Sequence, residues 1–475
     1  MTIYEILWLI VLPGMALSWY YLLKGRKTYI PNFSMPHNPY PHITFLLAAR
    51  EITPLLSQSV NSIIESCGKC KFTDYDIKVV ADKDGTLDNT EHIIVPEDYT
   101  CNSKFKARAL NYALKYIPDS PDVWILHLDE DAKITPQTVC SIVNYIKKGG
   151  NPVANGPTVF PHDSSLLAFY AEAQRSWTYY WVKHQLESST VYWMNGSNML
   201  VRSDIEHKVG WNFKGCMFSE DTRFAYEVAK KCGKVFGWHG GLTIEKPPKG
   251  VKSAIKQRKR WFWGGMLQLK HMPKSHLPRR LYSSAAWSIG FILITFIPIR
   301  LLALTITSLD MPSFFSPLAS GWASSPMIVG FTGGLLVLLA GFMPLMLLPI
   351  LLLGLIMPLL DIPSILPSLA NSGVSITSIF QIATYQIVPL DIHSVLPFLI
   401  IFGVSIPMIF WIARYQLGLY RNLKYTPCNI AAKFSYHARL LFLAPLVELI
   451  CTVPTVLALV RPPRSFEITD KEGNT

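Results

Sequence analysis

The sequence predicts a Rossmann-like α/β domain inserted between an N-terminal transmembrane helix and a C-terminal α-helical membrane domain. The chain of 475 residues is 50% hydrophobic and 16% charged, which is unusual for a soluble protein. Its apolar residues are concentrated near both ends, and residues 301–413 contain no lysine or arginine. Between the apolar ends, short strand-like and helix-like patterns alternate, as they do in α/β domains.

The first predicted element is an apolar stretch at residues 3–23, which is about long enough to cross a hydrocarbon core of roughly 30 Å as a helix. The first five residues of the chain, MTIYE, carry no positive charge, which disfavours a cleaved signal peptide. Three basic residues follow it: Lys24, Arg26 and Lys27. Because basic residues favour the cytoplasmic side, we expect a membrane anchor over residues 1–27 and a cytoplasmic domain over residues 28–265.

The hydrophobic stretches of the C-terminal part, residues 285–463, predict five to seven membrane segments. The candidate spans are residues 285–309 and 396–413, and residues 326–360 are either one long span or a hairpin kinked at Pro344 and Pro349. Residues 440–460 contain Pro445 and Pro454, so that a re-entrant hairpin and a final span both remain open. A short tail, residues 464–475, follows.

A basic strip precedes these spans. It contains eleven lysines and arginines and no acid between Lys246 and Arg280, and therefore accounts for most of the formal net charge of +12. Basic residues mixed with aromatic ones are typical of helices that lie on anionic lipid. We expect an interfacial helix over residues 266–284.

The central domain alternates strands with helices. Residues 42–49, 76–82 and 123–129 are predicted strands, and the spacing of residues 55–67 predicts a helix between the first two. In parallel sheets of this kind, ligands bind along the carboxyl ends of the strands. Asp82 and Asp129 stand at such ends, so we expect both at the ligand crevice.

Three acids are crowded at the end of the third strand. The stretch VWILHLDEDA, residues 123–132, places Asp129, Glu130 and Asp131 side by side. Like charges raise one another's pKa unless a cation lies among them. Asp129 and Asp131 would face the same way in an extended chain, and their oxygens suit Mg²⁺ or Mn²⁺. A solvated acidic turn before the helix near Pro136 would explain the same residues.

Three further segments carry charge in an informative order. Lys106 stands at the start of an amphipathic helix, Glu220 and Asp221 open another helix, and residues 257–261 read QRKRW. Each has a structural explanation when it is taken alone: a solvated face, a helix N-cap or an interfacial helix. Their order along the chain is more specific than any one of them.

Together these segments resemble the inverting nucleotide-sugar glycosyltransferases of family 2, which have the GT-A fold. The resemblance covers roughly residues 40–265 and rests on K-A-x-A-L-N from Lys106 to Asn111, D-x-D from Asp129 to Asp131, E-D at 220–221 and Q-x-x-R-W from Gln257 to Trp261. The sequence is most similar to egghead-type β-1,4-mannosyltransferases, which use GDP-mannose, and it shares motifs with hyaluronan and cellulose synthases. At Asp131 the egghead pattern usually has Glu, which leaves the donor sugar open.

The resemblance implies a role for each motif residue. Asp221 would be the catalytic base, and Asp131 would hold Mg²⁺ or Mn²⁺. The nucleotide and its diphosphate would contact Ala49, Glu51, Asp82, Lys106, Asp129, Gln257, Arg258, Arg260 and Trp261. The acceptor would contact Trp193, Asn195, Gly196, Ser197 and Glu220. Direct displacement without an enzyme nucleophile implies a β-linked product from an α-linked donor.

The resemblance therefore implies an integral membrane enzyme with a cytoplasmic catalytic domain, which transfers a sugar from GDP-mannose or a UDP-sugar to a lipid-linked acceptor. A processive polysaccharide synthase that uses a UDP-sugar is the near alternative. A transporter or channel is disfavoured because the spans contain few paired charges and no visible inverted repeat. Nucleic acid is not expected as a partner, because the basic residues adjoin a span instead of covering a folded surface.

Overall fold

The computed structural model describes residues 20, 35–36, 39–188, 191, 193–285, 287–288 and 412–463. Nearly all of the N-terminal anchor, most of the three candidate spans before residue 414, and the tail after residue 463 lie outside the described residues. Within the described part, residues 20–288, 417–428 and 446–463 belong to one compact unit, and residues 412–416 and 429–445 belong to a second.

A mixed β-sheet forms the centre of the larger unit. The strands of the described chain are β1 (His42–Ala48), β2 (Tyr75–Ala81), β3 (Glu91–Ile94), β4 (Val123–Asp129), β5 (Val153–Asn155), β6 (Thr158–Val159), β7 (Met199–Arg202), β8 (Phe236–Trp238) and β9 (Thr243–Ile244). The sheet order is β3-β2-β1-β4-β7-β5-β8, and β6 pairs separately with β9. The three predicted strands are confirmed, whereas β7 runs antiparallel to β4 and β5 and makes the sheet mixed.

Helices cover both faces of this sheet. These helices include α1 (Pro54–Cys70), α2 (Lys106–Ala113), α3 (Pro136–Lys147), α4 (Leu166–Glu187), α5 (Ser203–Val209), α6 (Glu220–Cys232), α7 (Val251–Gln268) and α8 (Ile430–Val460). Side chains alternate along β1, so that Phe45 and Leu47 pack in one apolar core with α1 and α3, while Leu46 packs in the other with α2, α5 and α6. The α/β layering that the sequence predicts is confirmed.

The carboxyl ends of β1, β2 and β4 meet at one edge. These strands are parallel neighbours, and Ala48 is in register with both Val80 and Asp129. Ala49, Asp82 and Asp129 therefore stand at the same edge of the sheet, where ligands bind in α/β folds.

The helix α8 is continuous from Ile430 to Val460. The hairpin considered for residues 440–460 is therefore wrong, because neither Pro445 nor Pro454 interrupts the helix. Its 31 residues extend about 46 Å at the α-helical rise. Among the described residues, α8 is the one helix long and apolar enough to cross a membrane, judged by length and composition.

The segment predicted as one interfacial helix is divided. Residues 266–284 comprise the end of α7, two 3-10 turns at Leu269–His271 and Lys274–His276, and the start of another helix at Leu277. Met272 N–H donates to the carbonyl of Leu269 and so closes the first turn.

Candidate active site

The acidic segment after β4 forms a turn. Ala132 N–H donates to the carbonyl of Asp129 over 3.0 Å, so the chain is no longer extended at Asp131. The alternation of side chains along a strand therefore does not extend to Asp131, and that argument for a shared direction of Asp129 and Asp131 does not apply. The acids do not cap α3 either, because Thr135 does so by accepting a hydrogen bond from Thr138 N–H.

One face of α1 holds this turn. We call the side chains of Ser59, Ser62, Ser66 and Cys70 the α1 seam. They bond to the carbonyl of Glu130 (2.8 Å), the N–H of Ile134 (3.1 Å), the carbonyl of Ile134 (3.2 Å) and the carbonyl of Pro136 (3.1 Å), respectively. Because the four residues are spaced three or four apart, they share a helix face. The seam fixes the backbone that carries Asp131.

Asp131 is buried, with 1% of its surface exposed. Its Oδ2 accepts a hydrogen bond from the backbone N–H of Lys246 over 2.9 Å, which ties the acidic turn to the segment after β9. Among the described residues, no group of three or more His, Cys, Asp or Glu could hold a metal ion alone. Mg²⁺ usually binds through one or two carboxylates and completes its shell with water and phosphate oxygens, and the oxygen donors of this turn fit that mode.

Lys106, the first residue of α2, joins the turn to the other acids. Its Nζ lies 2.5 Å from Asp129 Oδ1 and 3.3 Å from the carbonyl oxygen of Gly196. Burial lowers the pKa of Lys106, but the charges of Asp129, Glu220 and Asp221 outweigh burial and raise this pKa above its ordinary value. Lys106 therefore stays protonated.

Asp221 lies in the first turn of α6 and faces Gly196. A Cβ atom added to Gly196 would lie 3.2 Å from Asp221 Oδ2, so a glycine keeps this carboxylate approachable. Burial, followed by the charge of Glu220, raises the pKa of Asp221 to about 7. A carboxyl group with such a pKa can take a proton at neutral pH.

Backbone strain is concentrated around these residues. Phe105, Asn198 and Ser219 have φ angles of 54°, 55° and 56°, which residues other than glycine rarely adopt. They directly adjoin Lys106, Ser197 and Glu220, respectively. Ser219 makes no side-chain capping bond, so the N-cap explanation of this segment is wrong. Strain of this kind clusters at functional sites.

The loop that contains Gly196 is tied to two strands. The side chain of Asn155 on β5 donates to the carbonyl of Asn195 over 3.0 Å and accepts from its N–H over 3.1 Å. Ser197 Oγ accepts from the N–H of Asp129 over 3.2 Å. Before the loop, Trp193 packs edge to face on Trp181 with ring centroids 4.5 Å apart.

The helix α7 brings Arg260 to the acids. Burial lowers the pKa of Arg260, while the charges of Glu220, Asp129 and Asp221 act to raise it; the guanidinium therefore lies within the field of all three carboxylates. Gln257 stands one turn earlier on the same face.

Trp261 packs against Arg175, an arginine of α4. The guanidinium carbon of Arg175 lies 4.7 Å from the ring centroid of Trp261. Arg175 also forms ion pairs with Glu172 over 3.1 Å and Glu245 over 3.7 Å. The cation–π contact therefore fixes the position of the Trp261 indole against α4.

Arg258 does not join the acids. It is 1% exposed, and it donates to the carbonyl of Ala171 over 2.8 Å and to Glu172 Oε1 over 3.0 Å. The expected contact of Arg258 with a diphosphate is not supported. Residues two apart on a helix point to nearly opposite sides, so Arg258 faces away from Arg260. Arg258 therefore contacts α4, whereas Arg260 lies near the acids of the candidate site.

The remaining predicted residues lie near the ends of β1 and β2. Asp82 accepts from Arg108 Nη1 over 2.9 Å, and Glu51 pairs with Lys83 over 2.5 Å. Ala49 continues the pairing of β1 with β2 through its N–H. The structure thus groups Lys106, Asp129, Glu220, Asp221 and Arg260, with Asp82 at the same sheet edge.

The supporting residues were not anticipated from the sequence. Gly264 of α7 lies against the start of α6, where an added Cβ would be 2.3 Å from Ser219 Oγ and 2.8 Å from Phe218 Cβ. A signal was present, because two consecutive glycines, 264 and 265, are unfavourable inside a helix unless close packing requires them.

Comparison with known proteins adds the family. Residues 124–357 match the model described as glycosyl transferase family group 2. The β-1,4-mannosyltransferase bre-3 of Caenorhabditis briggsae is 27% identical over 248 residues, which cover 48% of this chain and 53% of that protein. The β-1,4-mannosyltransferase egh of Drosophila melanogaster is 26% identical over 254 residues, covering 50% and 55%. The chain spans about half the length of these curated relatives.

Among solved structures, a mannosyltransferase from Pyrobaculum calidifontis in complex with GDP-Man and Mn²⁺ is similar at 14% identity. The alignment covers 71% of this chain and 92% of that one, with a TM-score of 0.43. The family match and the curated relatives confirm the resemblance seen in the sequence motifs. The chain carries a domain of glycosyltransferase family 2.

Proposed function

We propose that the protein is an inverting glycosyltransferase that moves mannose from GDP-mannose to a lipid-linked acceptor and forms a β linkage. The observation that carries this proposal is the Asp221 carboxyl, whose pKa is about 7 and which faces Gly196 beside two cations, Lys106 and Arg260. The names of the curated relatives, β-1,4-mannosyltransferases, support the choice of sugar and linkage.

Asp221 acts as the general base. It takes the proton of the acceptor hydroxyl while the hydroxyl oxygen bonds to the anomeric carbon and the bond from that carbon to the diphosphate breaks. A base whose pKa is near the working pH combines a large ionised fraction with sufficient basicity. Because the displacement is direct, the configuration at the anomeric carbon inverts.

Lys106 and Arg260 bind the departing diphosphate. Three carboxylates, those of Asp129, Glu220 and Asp221, outnumber these two cations, so the site needs a further positive charge before a diphosphate can bind. Mg²⁺ or Mn²⁺ held by Asp131 would supply that charge and stabilise the leaving group. Asp82 and Asp129 accept hydrogen bonds from the base and ribose.

A membrane-facing position is proposed for α7 and the turns after it. Lys252, Lys256, Lys270 and Lys274 are exposed there, together with Leu267. Exposed lysines interspersed with apolar side chains are suited to anionic headgroups. We place the catalytic domain on the cytoplasmic side of the membrane, with the site open towards a lipid-linked acceptor.

Sugar transfer by the full-length protein in membranes tests this function. Incubation with GDP- and UDP-sugars plus Mn²⁺ should consume GDP-mannose and yield a β-mannosyl lipid with one added residue. Asp221→Asn should lower kcat by about 10²- to 10⁴-fold, whereas the exposed control Asp122→Asn should retain it. Full activity of Asp221→Asn, or an α-linked product, would contradict the proposal, and a long polymer would favour a processive synthase.

A further inference from the structure

Arg280 is a buried cation with no anionic partner in the described part of the chain. It is 7% exposed, and its Nε has no hydrogen-bond partner. Burial lowers its pKa, and the titratable group that acts against this effect is Tyr226, not a carboxylate. The other buried arginine of the described residues, Arg258, pairs with Glu172. A guanidinium remains charged even when buried, so within the described part of the chain no carboxylate compensates the charge of Arg280.

The surroundings of Arg280 are shaped to receive this guanidinium. Its central carbon lies 5.3 Å from the ring centroid of Trp193, and a Cβ atom on Gly265 would lie 2.5 Å from Arg280 Nη2. A side chain at position 265 would displace the guanidinium. The aromatic face and the glycine together fix the position of a charge that no carboxylate of the described residues neutralises.

This position adjoins the candidate active site. Burial raises the pKa of Tyr226 to about 12, and the charges of both Arg280 and Asp221 act on it. Trp193 precedes Gly196, which faces Asp221, by three residues. Arg280 therefore shares a neighbour, Tyr226, with the proposed base, and it contacts Trp193 of the loop assigned to the acceptor.

We propose that Arg280 and Trp193 form a subsite for a lipid phosphate, and that this phosphate belongs to the acceptor. A buried charge is costly unless a counter-charge joins it, and a guanidinium binds phosphate oxygens through two parallel hydrogen bonds. The assignment to the acceptor rests on the proposed function, whereas the phosphate site itself does not. A phosphate of a bulk phospholipid would make the same contacts.

Binding of farnesyl phosphate to the full-length protein in a non-ionic, phosphate-free detergent tests the subsite. No sugar donor is present, so failure of this site is distinguishable from failure of sugar transfer. Arg280→Gln should weaken binding about tenfold or more, and Arg280→Lys should weaken it less because the charge is kept. The matched control Arg279→Gln should stay within about twofold of the wild type. Farnesol, which lacks the phosphate, should bind weakly.

Two competitors identify the source of the phosphate. Weak displacement of farnesyl phosphate by phosphatidylglycerol supports the acceptor, whereas equally strong displacement overturns that assignment and identifies bulk lipid. Equal binding of farnesyl phosphate by wild type and Arg280→Gln, or equal binding of farnesol and farnesyl phosphate, overturns the phosphate site.

Unfolding without any ligand provides a second measurement. Because none of the described carboxylates compensates the buried charge of Arg280, Arg280→Gln should unfold at the same temperature as the wild type or a higher one. A clear decrease would mean that Arg280 serves the fold and would overturn the inference.

Discussion

At Asp221, burial and the charge of Glu220 act in the same direction on one carboxyl group. Together they raise its pKa to about 7, while Lys106 opposes them. A base must be ionised to accept a proton, so the rate of transfer should rise with pH through about 7 and level off above it. If Asp221 is the base, as we propose, its burial and its charged neighbours set the pH range of transfer.

Replacing Glu220 tests this arrangement. Glu220→Gln removes a like charge, which lowers the pKa of Asp221 and should move the acidic limb of the kcat/KM profile to lower pH. Glu227→Gln, two turns further along α6, is the control and should leave the limb unchanged. An acidic limb that stays in place or moves to higher pH in Glu220→Gln would show that Glu220 does not tune the base.

The same pKa makes a prediction about stability. The pKa of Asp221 rises from 3.8 to about 7 in the folded protein, so between these values the folded state binds more protons than the unfolded state. The free energy of unfolding contributed by this group must therefore fall as pH rises through that window. Asp221→Asn should unfold at a higher temperature than the wild type at pH 8. At pH 4.5 the two proteins should unfold at nearly the same temperature. Calorimetry that finds the variant less stable at pH 8 would exclude this linkage.

Gly264 tests whether close packing of α7 positions the catalytic turn. In Gly264→Ala, the new methyl group would approach Phe218 Cβ to 2.8 Å, and the strained backbone at Ser219 would have to shift. Overpacking costs about 1–3 kcal/mol, and we expect kcat to fall about tenfold because the shift moves Asp221. Gly250→Ala, at the other end of the helix, meets nothing within 4 Å and is the control. Equal kcat in both variants would contradict a positioning role.

Elements with regular periodicity were predictable from the sequence, and elements that depend on distant partners were not. Strands β1, β2 and β4 and helix α1 have apolar runs or helical spacing that local physics determines. Strand β7 has only four residues, and it belongs to the sheet because it pairs with both β4 and β5. Helix α8 retains two prolines without breaking, which sequence rules do not anticipate.

The same division applies to the candidate site. The motifs name Lys106, Asp129, Glu220, Asp221 and Arg260, whose charges act on one another in the folded chain; their roles remain predictions. Arg258 was expected beside Arg260 because both belong to one motif. The helix instead directs Arg258 towards Glu172. The α1 seam could not be read from its serines, because their partners are backbone atoms some seventy residues away along the chain.

The α1 seam makes a prediction at the scale of the element. Ser59→Ala removes the hydrogen bond to the carbonyl of Glu130 and should loosen the turn that carries Asp131. Loss of support behind a metal ligand weakens metal affinity about 10- to 100-fold, so the Mn²⁺ concentration for half-maximal transfer should rise by about that factor while kcat at saturating Mn²⁺ is kept. Ser57→Ala, whose hydroxyl bonds within the start of α1, is the control. An unchanged Mn²⁺ requirement in Ser59→Ala would separate the seam from metal binding.

On the scale of the molecule, the larger unit is assembled from segments far apart in the sequence. Residues 417–428 and 446–463 belong to the same compact unit as the α/β sheet. Asn422 makes the connection: its Oδ1 accepts from the N–H of Phe160 over 3.1 Å and from Ser176 Oγ over 2.5 Å. Arg421 adds a hydrogen bond to the carbonyl of Ser176 over 2.6 Å.

This connection reaches towards the candidate site through aromatic contacts. The guanidinium carbon of Arg175 lies 4.2 Å from the ring centroid of Phe160 and 4.7 Å from the ring centroid of Trp261. Gly418 is part of the same junction, because a Cβ there would collide with the carbonyl oxygen of Ala173. A disturbance at Asn422 should therefore affect both stability and the orientation of Trp261.

Asn422→Ala tests this coupling. The substitution leaves the N–H of Phe160 and the hydroxyl of Ser176 buried without their acceptor, at about 1–3 kcal/mol each, so the unfolding temperature of the full-length protein should fall by several degrees. Lys424→Ala, an exposed change two residues away, should leave that temperature unchanged. Below its unfolding temperature, the Asn422→Ala protein should also show a raised KM for the nucleotide-sugar donor, because Trp261, which we propose to contact the donor, is less well held. If Asn422→Ala and Lys424→Ala unfold together, the C-terminal segments do not stabilise the α/β domain, and the two parts of the chain are independent.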